Sequence, residues 1–395
     1  MRVFPDVPPL LLPGEDLADW ISKRSSLRDT IEQIEYGSRP DVAYSVHSDI
    51  VSEDSYPNGN GIRRIVSIAV KTELGTHSFP MYVFVPKSER PVPATLLICS
   101  QSKVLTPIKM PEGFDLSALP AMFQKMGIIM DGPMDVGGER RALDMAVDMD
   151  DGHWPVPAIL ERGYAVAGFY ATDAQSDGVD LGRDLAAIFG TGKERNAHEW
   201  GTLAVWAFAA QCAMDVLLTM PELDGARIGI AGHSRCGKAA LWAAVKDERF
   251  AWVMPNNSGC CGAALLRGKH GENMTSINTM MPYWFAPAFR SYLGREQDLP
   301  FDQHTLLALV APRILYVTSG SEDYWADPEG EHRSAVLANE VFRLYGNPAM
   351  PEVFPAVNAP VHAGSEGYHL RKGPHLLTEY DWMMLVEFVQ KRNKE

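Results

Sequence analysis

Short apolar runs recur along this chain, and longer stretches with helical or alanine-rich spacing separate them. An apolar run of four to eight residues is typical of a buried strand, whereas apolar residues at every third or fourth position indicate a helix. The predicted strands are residues 64–72, 79–85, 95–99, 164–170, 226–231, 250–255, 313–319 and 367–370. The predicted helices are residues 15–35, 157–162, 199–220, 238–245, 333–345 and 378–391.

Strands that alternate with helices predict a mostly parallel central sheet with helices on both faces, a three-layer α/β sandwich. Residues 64–72 and 79–85 differ, because polar and apolar positions alternate there, and we predict antiparallel edge strands. Residues 52–61 predict a loop by their composition. We expect residues 1–395 to form a single domain, with an N-terminal extension over 1–40 and an insertion over about 103–154.

The regular pattern is lost within the insertion, which is rich in methionine and glycine. A lid over a site and a surface insertion fit that composition equally well. The end of the insertion carries Asp144, Asp148, Asp150 and Asp151. The last three of these, followed by Gly152, resemble part of a calcium loop, but the glutamate that closes such a loop is missing. We therefore interpret them as a solvated helix end and expect no metal.

The formal net charge of −14 argues against nucleic acid or an anionic membrane as a partner. Residues 201–220 are apolar over a membrane-spanning length, but Gln211 and Asp215 interrupt them, and we predict a buried helix. The five cysteines lack the paired spacing of a disulfide scaffold. No secretion signal begins the sequence, so the chain as written would be cytoplasmic, or secreted or periplasmic if a leader had been removed.

The candidate chemistry centres on residues 229–242, which read GIAGHSRCGKAALW. A predicted strand precedes Ser234 and a predicted helix follows it, an arrangement that exposes a serine for nucleophilic attack. The alternative is a structural serine, since the second glycine follows three residues later instead of the usual two. Residues 232–238 also match most of a phosphate-binding loop, but Ala239 stands where magnesium would need a hydroxyl, which disfavours nucleotide binding.

A serine nucleophile needs a base and an acid, which should follow later strands of the sheet. His375 lies between the last predicted strand and the last helix, and we favour it over His369, which falls within the strand. Asp323 follows the strand at 313–319 and is the favoured acid, because a carboxylate there would orient the imidazole. Glu322 and Asp327 are its rivals.

Two cations follow the serine closely. The backbone N–H of Arg235 is placed for an oxyanion hole, and its guanidinium could add a charged donor. The alternative for Arg235 is a salt bridge at the turn. Lys238 lies one turn into the predicted helix, where it could reach a polar substrate or be solvated.

Several blocks of the chain, from about residue 154 to 388, resemble the glucuronoyl esterases of carbohydrate esterase family 15. The signature block reads GHSRCGK at 232–238. The other matching blocks read SGCCGAAL at 258–265, GE at 271–272, LPFDQH at 299–304, WADP at 325–328, GYHLR at 367–371 with His375 after it, and DW at 381–382.

The resemblance implies an α/β-hydrolase fold and a serine esterase without cofactor or metal. Its expected substrate is an ester of (4-O-methyl-)glucuronic acid, as in a glucuronoxylan–lignin fragment. By position, Ser234 would be the nucleophile, His375 the base and Arg235 the oxyanion stabiliser. The residues that would hold the uronate are Lys238, Glu272 and Trp325.

The chain departs from the family pattern at one catalytic position. Many members carry a glutamate as the triad acid shortly after the strand that follows the nucleophile, where this chain has Asn257. The triad acid would then be Asp323, a position that other members use. Two other functions remain open: another carbohydrate or small-molecule esterase, such as an acetyl esterase, or a non-catalytic sugar-binding relative.

Overall fold

The computed structural model describes residues 2–56, 60–100 and 154–392. The strands within these residues are β1 Tyr44–Ser55, β2 Gly61–Thr72, β3 Gly75–Pro86, β4 Val92–Cys99, β5 Ala165–Tyr170, β6 Leu223–His233, β7 Trp252–Asn256, β8 Ile314–Gly320, β9 Val361–Ala363 and β10 Glu366–Arg371. Together they form one sheet in the order β1-β2-β3-β5-β4-β6-β7-β8-β10-β9.

The centre of the sheet is parallel, from β5 through β4, β6, β7 and β8 to β10. At one end β1, β2 and β3 form an antiparallel extension, and β9 pairs antiparallel with β10 at the other end. The prediction of a mostly parallel sheet is confirmed. Residues 64–72 and 79–85 lie in antiparallel strands as predicted, but they are not the outermost ones.

The outermost strand of this extension, β1, is absent from the sequence-based assignment. Nearly all of its side chains are exposed, so no apolar alternation marks it. It exists because its backbone pairs with β2 along almost its whole length, with one irregularity between Ile50 and Ser52. The loop predicted at 52–61 is therefore wrong over its first four residues, which belong to β1, and at Gly61, which begins β2. Residues 57–59 of that loop lie outside the described residues.

The helices are α1 Leu17–Ile31, α2 Val156–Glu161, α3 Ala171–Ala174, α4 Asp184–Ala187, α5 Thr202–Leu217, α6 Arg235–Lys246, α7 Met274–Met280, α8 Gln303–Ala308, α9 Pro328–Leu344 and α10 Glu379–Arg392. A π-helical turn, Glu32–Tyr36, extends α1. Every helix that the spacing predicts is present. Helix α9 begins five residues earlier than predicted because Asp327 caps its first turn and Pro328 fits the first helical position.

Apolar side chains pack the sheet against helices on both faces. One cluster joins α5 and α6 to the sheet, and the N-terminal residues Leu10 and Trp20 belong to it. The second cluster joins α2 and α10 to the opposite face, with Trp382 and Phe388 packed beside Tyr316. The molecule is thus a three-layer α/β-hydrolase. The single-domain organisation over 1–395 stays a prediction.

Helix α5 carries buried side chains around almost its whole circumference. This confirms the buried helix predicted for residues 201–220. Among the described residues, no helix combines the length and the apolar character that crossing a membrane would require. The insertion and its aspartates lie outside the described residues, apart from Trp154, which packs in the second cluster.

Candidate active site

Ser234 lies at a sharp turn where β6 ends and α6 begins. Its backbone angles are φ 56° and ψ −123°, a conformation that costs a non-glycine residue energy and is characteristic of functional turns. Two glycines make the turn possible. A Cβ on Gly232 would lie 2.1 Å from the carbonyl oxygen of Cys236, and a Cβ on Gly237 would lie 2.9 Å from that of Gly232.

Backbone hydrogen bonds hold this turn in place. The N–H of Ser234 donates to the carbonyl of Asn256 at the end of β7 (2.9 Å), and its own carbonyl accepts from the N–H of Gly237 (2.9 Å) and Lys238 (3.2 Å). Ser234 is half-buried and sits at the N-terminus of α6. The partial positive charge of a helix N-terminus favours negative charge that develops there.

His375 and Asp323 form a pair at the carboxyl edge of the sheet. The Nδ1 atom of His375 lies 2.5 Å from Oδ2 of Asp323, which is fully buried. Oδ2 also accepts from the Asn257 side-chain amide (2.6 Å), and Oδ1 accepts from the Ala326 N–H (3.1 Å). Burial alone would raise the pKa of Asp323, but His375 and these donors outweigh it and lower the pKa below its ordinary value.

The ring of His375 lies close to the Ser234 turn. Its centroid is 4.5 Å from that of His233, the residue that precedes Ser234. Among the described contacts there is no hydrogen bond between the Ser234 hydroxyl and the His375 ring. Long or poorly aligned nucleophile–base contacts are common in enzymes without substrate, so the arrangement still fits a base beside a nucleophile.

Two of the three rivals for the acid and the base have other partners, and the third is exposed. The Asp327 carboxylate caps α9 through the Gly330 N–H and accepts from Arg2 (2.5 Å) and from the His270 N–H (3.0 Å). His369 is fully buried, with Nε2 2.8 Å from the Asp381 carboxylate. The side chain of Glu322 is exposed.

Arg235 is held by a residue that the sequence reasoning missed. Its guanidinium forms an ion pair with Asp177 and lies 5.5 Å from the centroid of the Trp284 ring. The indole N–H of Trp284 donates to the other carboxylate oxygen of Asp177 (2.7 Å). Burial would lower the pKa of Arg235, but the Asp177 charge reverses this and raises it above its ordinary value. Asp177 lies in an irregular loop after β5, so no periodic signal marks it.

The three predicted uronate-binding residues lie together. Lys238 is buried, and its Nζ donates to the Ser258 carbonyl (2.5 Å) and lies 3.7 Å from the Glu272 carboxylate. The backbone N–H of Glu272 donates to the Trp325 carbonyl (3.0 Å). Trp325 is half-buried and also borders a cavity of about 480 Å³. These contacts bring a cation, a carboxylate and a tryptophan into one neighbourhood.

Nothing in the described ranges groups three or more histidine, cysteine, aspartate or glutamate side chains as a metal site would. The five cysteines are all free thiols.

Comparisons with known proteins agree on one family. A family model described as "Glucuronyl esterase, fungi" matches residues 135–346, more than half of the chain. A carbohydrate esterase, MZ0003, from an unknown prokaryotic organism is 39% identical over 254 residues, which are 63% of this chain and 58% of that protein. The 4-O-methyl-glucuronoyl methylesterase of Podospora anserina is 33% identical over 184 residues, 43% of this chain and 36% of that protein. The chain thus spans less than two thirds of the length of either relative.

A solved structure covers nearly the whole chain. The glucuronoyl esterase from Solibacter usitatus aligns with a TM-score of 0.84 and 31% identity, over 98% of this chain and 99% of that one.

Proposed function

The chain belongs to the glucuronoyl esterase family, and from that premise we propose that it hydrolyses esters of (4-O-methyl-)glucuronic acid through Ser234, His375 and Asp323. The observation that carries the proposal is the His375–Asp323 pair, 2.5 Å apart, beside the strained turn of Ser234. The alcohol side would be a lignin-like group linked to glucuronoxylan. No second function is favoured by a specific contact.

In the first half-reaction the Ser234 hydroxyl attacks the ester carbonyl while Nε2 of His375 takes its proton. Asp323 keeps the other ring nitrogen protonated and stabilises the imidazolium that forms. The tetrahedral oxyanion accepts hydrogen bonds from the backbone N–H of Arg235, at the start of α6, and from the nearby guanidinium of the same residue. Its collapse breaks the ester bond, and the leaving alcohol takes the proton from Nε2.

In the second half-reaction water attacks the glucuronoyl–serine ester, and His375 accepts its proton. Collapse of the second tetrahedral intermediate frees the uronic acid and returns the proton to the Ser234 oxygen. Lys238 and Glu272 would bind sugar hydroxyls, and Trp325 would pack on the ring face. Because Lys238 and Glu272 are already buried and fixed, they would orient the ester with little loss of side-chain entropy.

The test is hydrolysis of benzyl glucuronate by the wild-type chain and by Ser234→Ala. We expect clear turnover by the wild type and a loss of at least about 10³-fold in the variant. Methyl glucuronate and p-nitrophenyl acetate, compared at equal concentration, separate glucuronate specificity from general esterase activity. Hydrolysis of the acetate without hydrolysis of the glucuronate would contradict the assigned substrate, and full activity of Ser234→Ala would contradict the assigned nucleophile.

A further inference from the structure

Asn257 makes a contact that the mechanism above does not use. It directly follows β7, its backbone N–H donates to the carbonyl of Thr318 in β8 (2.7 Å), and its side chain is almost fully buried. Its φ of 46° lies in the left-handed region, which asparagine tolerates better than most residues. This backbone turn directs the side chain toward the loop after β8.

The Asn257 amide meets the same oxygen that faces the base. Its Nδ2 donates to Oδ2 of Asp323 at 2.6 Å, and that oxygen also lies 2.5 Å from Nδ1 of His375. An amide N–H can only donate, so this contact favours the ionised carboxylate over the protonated one. With the Ala326 N–H on Oδ1, the carboxylate has a donor on each oxygen and cannot rotate freely.

The other end of the Asn257 amide supports a role directed at Asp323. Its Oδ1 is buried without a hydrogen-bond partner among the described residues. A buried carbonyl without a hydrogen-bond partner is destabilising. The side chain of Asn257 therefore keeps an orientation that leaves one of its own polar atoms unpaired. Flipping the amide would set this carbonyl oxygen against the carboxylate, and so the Asp323 contact fixes the orientation.

The neighbouring strand end leaves room for this contact. A Cβ on Gly320, the last residue of β8, would lie 3.2 Å from Nδ2 of Asn257 and 2.5 Å from the carbonyl oxygen of Pro374. The absence of a side chain thus admits both the Asn257 amide and the loop that carries His375.

We propose that Asn257 is a positioning residue for the triad acid: its amide holds the Asp323 carboxylate ionised and turned toward His375. This rests on the proposed function, in which Asp323 orients the base.

Two other titratable groups adjoin the pair. His233 lies beside His375, and burial, with a smaller contribution from the Asp323 charge, raises the pKa of Glu331 to about 7.

The first test is a double-mutant cycle between Asn257→Ala and Asp323→Ala, assayed with benzyl glucuronate and p-nitrophenyl acetate. With Asp323 present, we expect Asn257→Ala to lower kcat by about 10-fold with little change in KM, the effect of one lost charge-assisted hydrogen bond. With Asp323 already removed, the same change should cost less than about 2-fold. Equal fold losses in both backgrounds would overturn the proposal.

The second test is Asn257→Asp, which is nearly isosteric and sets two carboxylates 2.6 Å apart. Such a pair retains one extra proton near neutral pH, either shared between the carboxylates or on His375. That proton must leave before a neutral base faces an ionised acid. The acid limb of the kcat/KM profile should therefore move to higher pH by about one unit or more, and an unmoved limb would overturn the proposal.

A matched control comes from the opposite edge of the sheet. Asn339 donates its buried amide to the buried Glu366 carboxyl group at 2.9 Å. Asn339→Ala and Asn339→Asp make the same chemical changes far from His375. They should lower Tm while leaving the acid limb of the pH profile in place. A limb shift in Asn339→Asp that equals the shift in Asn257→Asp would overturn the proposal.

A readout without substrate separates this proposal from the proposed function. The proton between His375 and Asp323 gives a downfield NMR signal, which can be assigned by its loss in His375→Gln. We expect that signal to shift in Asn257→Ala and to stay unchanged in Asn339→Ala. An unshifted signal in Asn257→Ala would overturn the positioning role, whatever esters the wild-type chain hydrolyses.

Discussion

Asp323 and Asp327 lie four residues apart in one segment, yet their carboxylates meet different partners. Asp323 faces His375 and Asn257, whereas Asp327 caps α9 and binds Arg2. Sequence position alone could not separate them, because both follow β8 closely. The difference lies in the direction of each side chain, which the left-handed backbone of Asp327 turns toward its own helix.

The two aspartates should therefore respond differently to the same substitution. Asp323→Asn leaves the imidazole without its charged partner, and we expect kcat to fall by about 10³–10⁴-fold. Asp327→Asn should keep kcat within a few-fold but destabilise the fold by about 1 kcal/mol, because asparagine still caps α9 but loses the ion pair with Arg2. Benzyl glucuronate kinetics and urea denaturation measure the two effects. The reverse result would assign the triad acid to Asp327.

The guanidinium of Arg235 depends on Asp177 in a comparable way. We expect Arg235→Ala to lower kcat by at least about 10²-fold, since a charged donor is lost near the oxyanion. Asp177→Asn should lower kcat less, because the cation remains but loses its ion pair. Asp180→Asn is the matched control, since Asp180 pairs with Arg183 at the surface. Wild-type kcat in Arg235→Ala would remove the proposed role of its side chain.

Among the elements, the turn between β6 and α6 sets the position of Ser234, the proposed nucleophile. Gly232→Ala would place a methyl group 2.1 Å from the Cys236 carbonyl oxygen, so the strand and the helix must separate. We expect slower labelling of Ser234 by a serine-directed phosphonate, together with a lower Tm. Gly225→Ala, in the same strand, meets only the end of the Leu218 side chain and should change neither quantity much. Equal labelling rates in both variants would contradict this account of the turn.

The buried elements could be predicted from sequence because the spacing of their apolar residues follows from which side chains are buried. Helix α5 and strand β6 are examples, and the GHSRCGK block between β6 and α6 indicated the strand-to-helix turn. The exposed strand β1 carries no such pattern, since its pairing depends on backbone hydrogen bonds with β2. The contacts of Asp177 with Arg235 and of Asn257 with Asp323 could not be predicted from sequence. Each joins residues that are distant along the chain, and only the tertiary fold brings them together.

Across the whole molecule, several carboxyl groups are buried with few donors. Burial raises the pKa of Glu366 to about 8, and the Asn339 amide offsets this only in part. Burial likewise raises the pKa of Glu35 to about 8. Both groups are therefore protonated in the folded chain at neutral pH and ionised in the unfolded chain. Their contribution to stability is complete below about pH 4.5 and is lost progressively as the pH rises toward 8.

Glu366→Gln should remove one part of this dependence. The amide stays neutral at every pH, so the variant should gain free energy of unfolding relative to wild type as the pH rises from 5 to 8, by up to about 1.4 kcal/mol per pH unit. Urea denaturation at these two pH values measures the change. A difference between the two proteins that does not vary with pH would show that Glu366 is already ionised in the fold.

Because β7 and β8 are adjacent, two different strand ends can present a side chain to the same place. Asn257 and Asp323 extend from neighbouring strand ends and touch each other at 2.6 Å. A side chain that projects from either strand end can therefore reach the neighbourhood of one imidazole without any backbone rearrangement. During evolution, the acidic residue that pairs with the proposed base could thus change from one strand end to the other. The serine hydroxyl and the imidazole would keep their positions.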